Sequence, residues 1–152
     1  MNKDSAPIVI CYDGSPNSEG AIDAAAALFG SRHAVVLTVG PTLTFAEGVA
    51  LTQAVVPGNA FEDLNTADAR RCADAGASYA RGLGLDAEAR GVIASETWQG
   101  IVDVADELDA AVIIIGSRGL SGLRRRTLGS VSQDVASHAR RPVLIVPPAR
   151  AR

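Results

Sequence analysis

The sequence has few aromatic residues and only two cysteines. One tryptophan, two tyrosines and three phenylalanines occur in 152 residues, so the core must be built from alanine and aliphatic side chains. The cysteines, Cys11 and Cys72, form neither a disulfide framework nor a metal-ligand spacing. Because Cys11 lies in an apolar run, we interpret it as a buried thiol.

Long apolar runs and an excess of positive charge are also missing. No segment approaches the roughly 20 apolar residues that a membrane helix needs, and residues 1–7 lack the apolar stretch of a signal peptide. The formal net charge of -3 does not favour binding to nucleic acid or to an anionic membrane. The sequence therefore predicts a cytoplasmic protein with no nucleic-acid and no membrane partner.

Five short apolar runs alternate with helical patterns, which is typical of β-α units around a parallel sheet. Ser15-Pro16 predicts the start of the first helix and Gly30 its end. In the second helix, predicted over residues 62–83, Cys72, Ala75, Tyr79 and Leu83 repeat along one face. No linker or repeat interrupts the pattern, so residues 1–152 are predicted to form a single α/β domain. The strands are predicted at residues 8–12, 34–39, 87–93, 112–115 and 143–146.

A glycine-rich segment follows the fourth predicted strand. It reads Gly116-Ser117-Arg118-Gly119, then nine residues, then Gly129-Ser130-Val131-Ser132. Glycine lets the backbone approach a ligand closely, and amide groups and hydroxyls at a helix start suit an anion such as a polyphosphate. Ser130 and Gln133 also have capping-box spacing, which would explain both residues without a ligand. Neither the Walker pattern nor the G-x-G-x-x-G pattern occurs.

The spacing of Gly116, Gly119, Gly129 and Ser130 resembles the nucleotide motif of the ATP-binding universal stress proteins. The first strand, ending in Asp13-Gly14-Ser15, is similar to a second hallmark of that family, and the likeness extends over residues 8–146. It implies an open, doubly wound, five-stranded parallel sheet in the order 3-2-1-4-5, with helices on both faces. The ligand pocket would then lie between the first and fourth strands.

The same resemblance assigns residues to an ATP site. The adenine and ribose side would be lined by Cys11, Tyr12, Asp13 and Val39. The ribose and phosphates would be wrapped by Gly116, Ser117, Arg118, Gly119 and Gly122, and the phosphate tail covered by Gly129, Ser130, Val131 and Ser132. Asp13 is also suited to hold a Mg²⁺ that bridges the phosphates, its alternative role being that of a turn carboxylate before Gly14.

The resemblance implies a nucleotide-dependent regulator of the stress response without efficient catalysis. His33 and His138 stand in no catalytic spacing, and Trp98 is interpreted as a packing residue. The alternatives are a slow Mg²⁺-dependent ATPase that uses Asp13, or a sensor that prefers AMP or cyclic AMP. The apolar strand Val143–Val146 would be an edge strand, and subunits of the family pair through it, which implies a homodimer. The resemblance also allows a protein partner, whose identity the sequence does not give. The role of the connection from Gly40 to Phe61 stays open.

Overall fold

The computed structural model describes residues 6–42, 58–119 and 128–149. Each of the five predicted strands is present, and strands and helices alternate along the chain. No helix in the described ranges is long and apolar enough to cross a membrane. The elements are β1 (Ile8–Cys11), α1 (Pro16–Phe29), β2 (His33–Pro41), α2 (Gly58–Gly82), β3 (Asp86–Ala94), α3 (Thr97–Glu107), β4 (Val112–Gly116), α4 (Ser130–His138) and β5 (Val143–Val146).

The five strands form one parallel sheet in the order β3-β2-β1-β4-β5, which confirms the order implied by the resemblance. Ile8 of β1 pairs with Ala34 of β2 on one side and with Val112 of β4 on the other. The chain therefore winds outward from β1 in one direction, returns to the centre, and winds outward again through β4 and β5. At such a reversal the loops after the two central strands diverge and leave a crevice at their carboxyl ends.

Alternate residues of the central strands fill two separate cores, one on each face of the sheet. Ile8, Ile10 and Val36 belong to the core that α1 and α2 cover. Val9, Cys11 and their neighbours belong to the core that α3 and α4 cover. A strand covered on both faces needs apolar side chains at every position, which explains the uninterrupted apolar runs in the sequence.

The first helix has the ends that its sequence predicts. The Ser15 side chain accepts a hydrogen bond from the Ser18 backbone N–H at 3.2 Å, and Pro16 is the first helical residue. At the other end Gly30 adopts a φ of 59° and its N–H donates to the Ala26 carbonyl at 3.1 Å. The N-cap fixes the start of α1 beside the carboxyl end of β1.

The buried face of α2 differs from the one that the sequence pattern indicated. Tyr79 and Leu83 are 40% and 44% exposed, and the Tyr79 hydroxyl donates to Asp23 of α1 at 2.8 Å. Small residues, Ala69, Ala73, Gly76, Ala77 and Ala80, face the sheet instead. A Cβ at Gly76 would lie 2.7 Å from the Tyr12 ring, so α2 approaches β1 more closely than large side chains allow.

Candidate functional site

A cavity of about 360 Å³ opens at the carboxyl ends of the central strands. This volume falls in the range of small-molecule sites, about 300–1,000 Å³. Its lining residues come from the β1–α1 turn, from β2, from the start of α3, and from both sides of the connection between β4 and α4. They are Cys11, Tyr12, Asp13, Ser18, Leu37, Val39, Thr97, Ile101, Ile115, Gly116, Arg118, Gly119, Gly129, Ser130, Val131 and Ser132.

One part of the cavity wall is apolar. Leu37 and Ile115 are almost fully buried side chains of β2 and β4, and Ile101 of α3 packs into the same core. Gly100 allows α3 to approach the sheet, because a Cβ there would lie 2.8 Å from Val39. This wall offers an aliphatic surface to a ligand.

Cys11 lies in this wall as a buried thiol, as the sequence predicts. Its side chain is 7% exposed. Burial, and then the nearby charge of Asp13, raises the pKa of the Cys11 thiol to about 12. The thiol is therefore protonated at physiological pH and is unsuited to act as a nucleophile.

Asp13 serves the turn and also faces the cavity. Its Oδ1 accepts a hydrogen bond from the Ser15 N–H at 2.9 Å, which is the turn role that the sequence left open. Its Oδ2 lies 3.0 Å from the point that a Cβ at Gly119 would occupy. The hydrogen bond to Ser15 thus holds the carboxylate in place. The other oxygen points toward residues 116–119, called the glycine loop below.

Tyr12 contributes its backbone rather than its ring. The ring packs against Gly76 in the core under α1 and α2, on the opposite face of the sheet from Cys11. The Tyr12 carbonyl accepts a hydrogen bond from the Thr38 hydroxyl at 2.8 Å. Because side chains alternate along β1, the aromatic ring faces away from the ligand side of the sheet.

Ser117 anchors the glycine loop and does not line the cavity. Its N–H donates to the Val146 carbonyl of β5 at 2.8 Å. Its carbonyl accepts from the Gly129 N–H at 2.7 Å and from the buried Ser132 hydroxyl at 3.2 Å. These bonds join the end of β4 to the start of α4, although nine residues separate Gly119 from Gly129 in the sequence.

The helix α4 begins at Ser130, with Gly129 as its N-cap. Since Ser130 lies inside the helix and Gly129 has no side chain, the capping-box explanation of Ser130 and Gln133 is wrong. The Ser132 hydroxyl also donates to the Gly129 carbonyl at 2.9 Å, so it is engaged with the protein backbone. The sequence had predicted that this hydroxyl would be offered to a ligand.

The amide end of α4 faces the cavity. The N–H groups of Ser130, Val131 and Ser132 are in the first turn, where backbone N–H groups have no partner within the helix. All three residues line the cavity. The partial positive charge of the helix end is therefore directed into it, as in an anion site.

The structure brings together most of the residues that the sequence assigned to the site. Ser117 lies behind the loop, and Gly122 is outside the described residues, as is most of the Gly40–Phe61 connection. Alternation along β2 from Val39 would have identified Leu37, which lies two residues earlier on the same face of the strand. Five lining residues were not predicted from the sequence, namely Ser18, Leu37, Thr97, Ile101 and Ile115.

Trp98, His33 and His138 make contacts outside the cavity. Trp98 stacks on His138, with ring centroids 4.3 Å apart, and so joins the start of α3 to the end of α4. His33 lies at the start of β2, where its Nδ1 is 3.1 Å from an Asp86 carboxylate oxygen. Neither histidine lines the cavity.

The family model described as "Universal stress protein family" matches residues 5–147. The chain belongs to the universal stress protein family. It is similar to universal stress protein YxiE of Bacillus subtilis, with 31% identity over 147 residues that cover 91% of this chain and 97% of that one.

Two solved universal stress proteins have the same fold and bound nucleotides. One, from Archaeoglobus fulgidus, was solved in complex with dAMP and is 26% identical, with a TM-score of 0.64 over 94% of this chain and 98% of that one. Another, in complex with cAMP, is 25% identical, with a TM-score of 0.67 over 96% of this chain and 99% of that one.

The burial of Cys11 predicts a thiol of low reactivity. In a Cys72→Ser variant Cys11 is the only thiol, and with a pKa of about 12 only about one molecule in a thousand carries the thiolate at pH 9. Alkylation by iodoacetamide at pH 9 should be at least about a hundredfold slower in the native protein than in urea. Mass spectrometry measures both rates, and equal rates would contradict the buried position of the thiol.

Proposed function

We propose that this universal stress protein is a cytoplasmic, nucleotide-dependent regulator of the stress response that binds ATP and has no efficient catalytic activity. The observation that carries the proposal is the position of the first turn of α4. Its amide groups line the same cavity as the aliphatic wall of Leu37 and Ile101. The dAMP and cAMP complexes of two relatives support an adenine nucleotide as the ligand class.

The two ends of the cavity fit the two ends of a nucleotide. A base has a flat, apolar surface that suits Leu37, Val39 and Ile101. A phosphate chain is anionic and suits the amide end of α4 and the loop at Gly119. The base would therefore lie toward β2 and α3, and the phosphates toward β4 and α4.

Asp13 is the residue that would hold a Mg²⁺ ion together with the phosphates. Mg²⁺ usually binds one or two carboxylates along with substrate phosphates and water, and Asp13 Oδ2 faces the loop that would hold the phosphates. Among the described residues no cluster of three or more His, Cys, Asp or Glu side chains could hold a metal by itself. The ion would supply charge neutralisation for the phosphates.

The lining side chains favour binding over turnover. Within the described ranges Asp13 is the only carboxylate at the cavity, and no histidine or lysine lines it. Its Oδ1 accepts from the Ser15 N–H, and its Oδ2 is the oxygen that would bind the Mg²⁺, so the described lining offers no second carboxylate or histidine as a base to activate water. Asp13 is also the group on which the slow, Mg²⁺-dependent ATPase alternative depends.

We also propose that two copies pair through β5. This strand lies at the edge of the sheet and bonds to β4 on one side only. The carbonyls of Pro142 and Val146 accept hydrogen bonds from the N–H groups of Ile113 in β4 and of Ser117, which directly follows β4. By alternation, Val143 and Ile145 direct their backbone groups away from β4, toward the open edge. An apolar strand with open backbone groups is suited to pair with an identical strand.

Ser130→Pro tests the role of the helix amides. Proline is tolerated at the first helical position, and Gly129, with φ -62° and ψ 154°, has the extended conformation that precedes proline. The variant removes one N–H from the cavity, so we expect ATP affinity to fall about tenfold or more while the melting temperature changes by less than about 3 °C. Isothermal titration calorimetry and thermal unfolding provide the two measurements.

The control for this experiment is Ser130→Ala, which removes the hydroxyl but keeps the N–H, and it should retain most of the ATP affinity. Titrations with AMP, cyclic AMP and GTP establish which nucleotide is preferred. A wild-type protein that binds none of these nucleotides would contradict the proposed function, and equal affinities of the two variants would contradict the role of the amide.

Val143→Pro tests the dimer. It removes an N–H from the open edge and leaves the bonds to β4 in place, so we expect a smaller dimer fraction at micromolar concentration. Val143→Ala, which keeps the N–H, should remain dimeric. Size-exclusion chromatography with light scattering measures both variants, and a monomeric wild-type protein would contradict the proposal.

A further inference from the structure

Asn17 links the start of α1 to the glycine loop from outside the nucleotide cavity. It is the second residue of α1, and its Nδ2 donates to the Arg118 carbonyl at 2.9 Å. Asn17 lines a second hollow of about 290 Å³, of which Arg118 and Gly119 also form part. Because Arg118 and Gly119 line both spaces, their backbone lies between Asn17 and the nucleotide cavity.

The contact requires a glycine at the end of β4. A Cβ at Gly116 would lie 2.9 Å from the Asn17 backbone oxygen and closer still to the Asn17 side-chain nitrogen. Only a residue without a side chain lets α1 approach the loop at this point. Gly116 therefore makes room for Asn17 on one side of the loop while it lines the nucleotide cavity on the other.

The other end of the Asn17 amide has no partner in the described part of the chain. Its Oδ1 is buried and accepts no hydrogen bond from the described residues. A buried acceptor without a partner destabilises the folded protein, so an aliphatic side chain of similar size would serve packing at least as well. What leucine cannot do at this position is donate to the Arg118 carbonyl.

We infer that Asn17 is a positioning residue for the phosphate end of the proposed nucleotide site. Ser117 is held by β5 and by α4, as its hydrogen bonds to Val146 and Gly129 show. The bond from Asn17 fixes the next peptide, between Arg118 and Gly119. This bond keeps the Arg118–Gly119 peptide in one conformation before a nucleotide arrives.

This arrangement increases affinity without any contact between Asn17 and the ligand. A glycine-containing loop has many conformations, and a loop that must be ordered on binding lowers the affinity. The inference rests on the proposed function for the identity of the ligand. The order of the loop is a property of the free protein and is measured without a nucleotide.

The test compares Asn17→Leu with the wild-type protein. In the absence of nucleotide, ¹⁵N relaxation should show the order parameter of the Gly119 amide falling from about 0.85 to below about 0.6. The affinity for ATP should fall about three- to tenfold, because one hydrogen bond that orders the loop is lost. The melting temperature should stay within about 3 °C of the wild type.

Asn65→Leu is the matched control. The Asn65 side chain also donates to a backbone carbonyl, that of Pro41, but at 3.4 Å and away from the cavity. This variant should leave both the Gly119 order parameter and the ATP affinity unchanged. If Asn17→Leu does not fold, Asn17→Ala removes the same donor and is measured in the same way.

The outcomes separate the two proposals. A Gly119 amide that is equally rigid in the Asn17 variant and in the wild type overturns the positioning role, as does an unchanged affinity for ATP. A wild-type protein that binds no adenine nucleotide overturns the proposed function. If the order parameter of the Gly119 amide still falls in the variant, the ordering of this peptide by Asn17 is established without a nucleotide.

Discussion

The hydrogen bonds that converge on the Ser117 carbonyl determine the geometry of the site. The Gly129 N–H and the Ser132 hydroxyl both donate to this oxygen, while the Ser117 N–H is bonded to β5. The end of β4 and the start of α4 are thereby held together across a long connection. The amide end of α4 is fixed toward the cavity for this reason, and the proposed phosphate site depends on that orientation.

The topology of the sheet explains why the cavity lies where it does. The winding reverses between β1 and β4, so the segments that follow these two strands diverge. A crevice is left between them at the carboxyl ends of the strands. Alternation along β1 then assigns the roles of three consecutive residues. The Cys11 side chain belongs to the wall, the Tyr12 ring to the opposite core, and Asp13 to the turn.

Local signals in the sequence predicted the elements well, because each depends on nearby residues. Apolar runs identified the strands, and Ser15, Pro16 and Gly30 identified the ends of α1. The buried face of α2 was missed because it consists of alanine and Gly76, whose importance lies in close approach rather than in hydrophobicity. Glycine spacing identified the loop, but the roles of Ser117 and Asn17 depend on contacts between distant residues, such as Asn17 with Arg118. The periodicity of apolar residues in the sequence does not indicate such contacts.

The central claim is that the first-turn amides of α4 bind the phosphates of an adenine nucleotide. The most direct measurement is a titration of ¹⁵N-labelled protein with ATP, followed through the backbone amide resonances. The account predicts that the largest shifts occur at Ser130, Val131 and Ser132, and that the aliphatic wall at Leu37 and Ile101 responds at the same ATP concentration. Saturation with ATP that leaves the amides of Ser130 to Ser132 unshifted would contradict it.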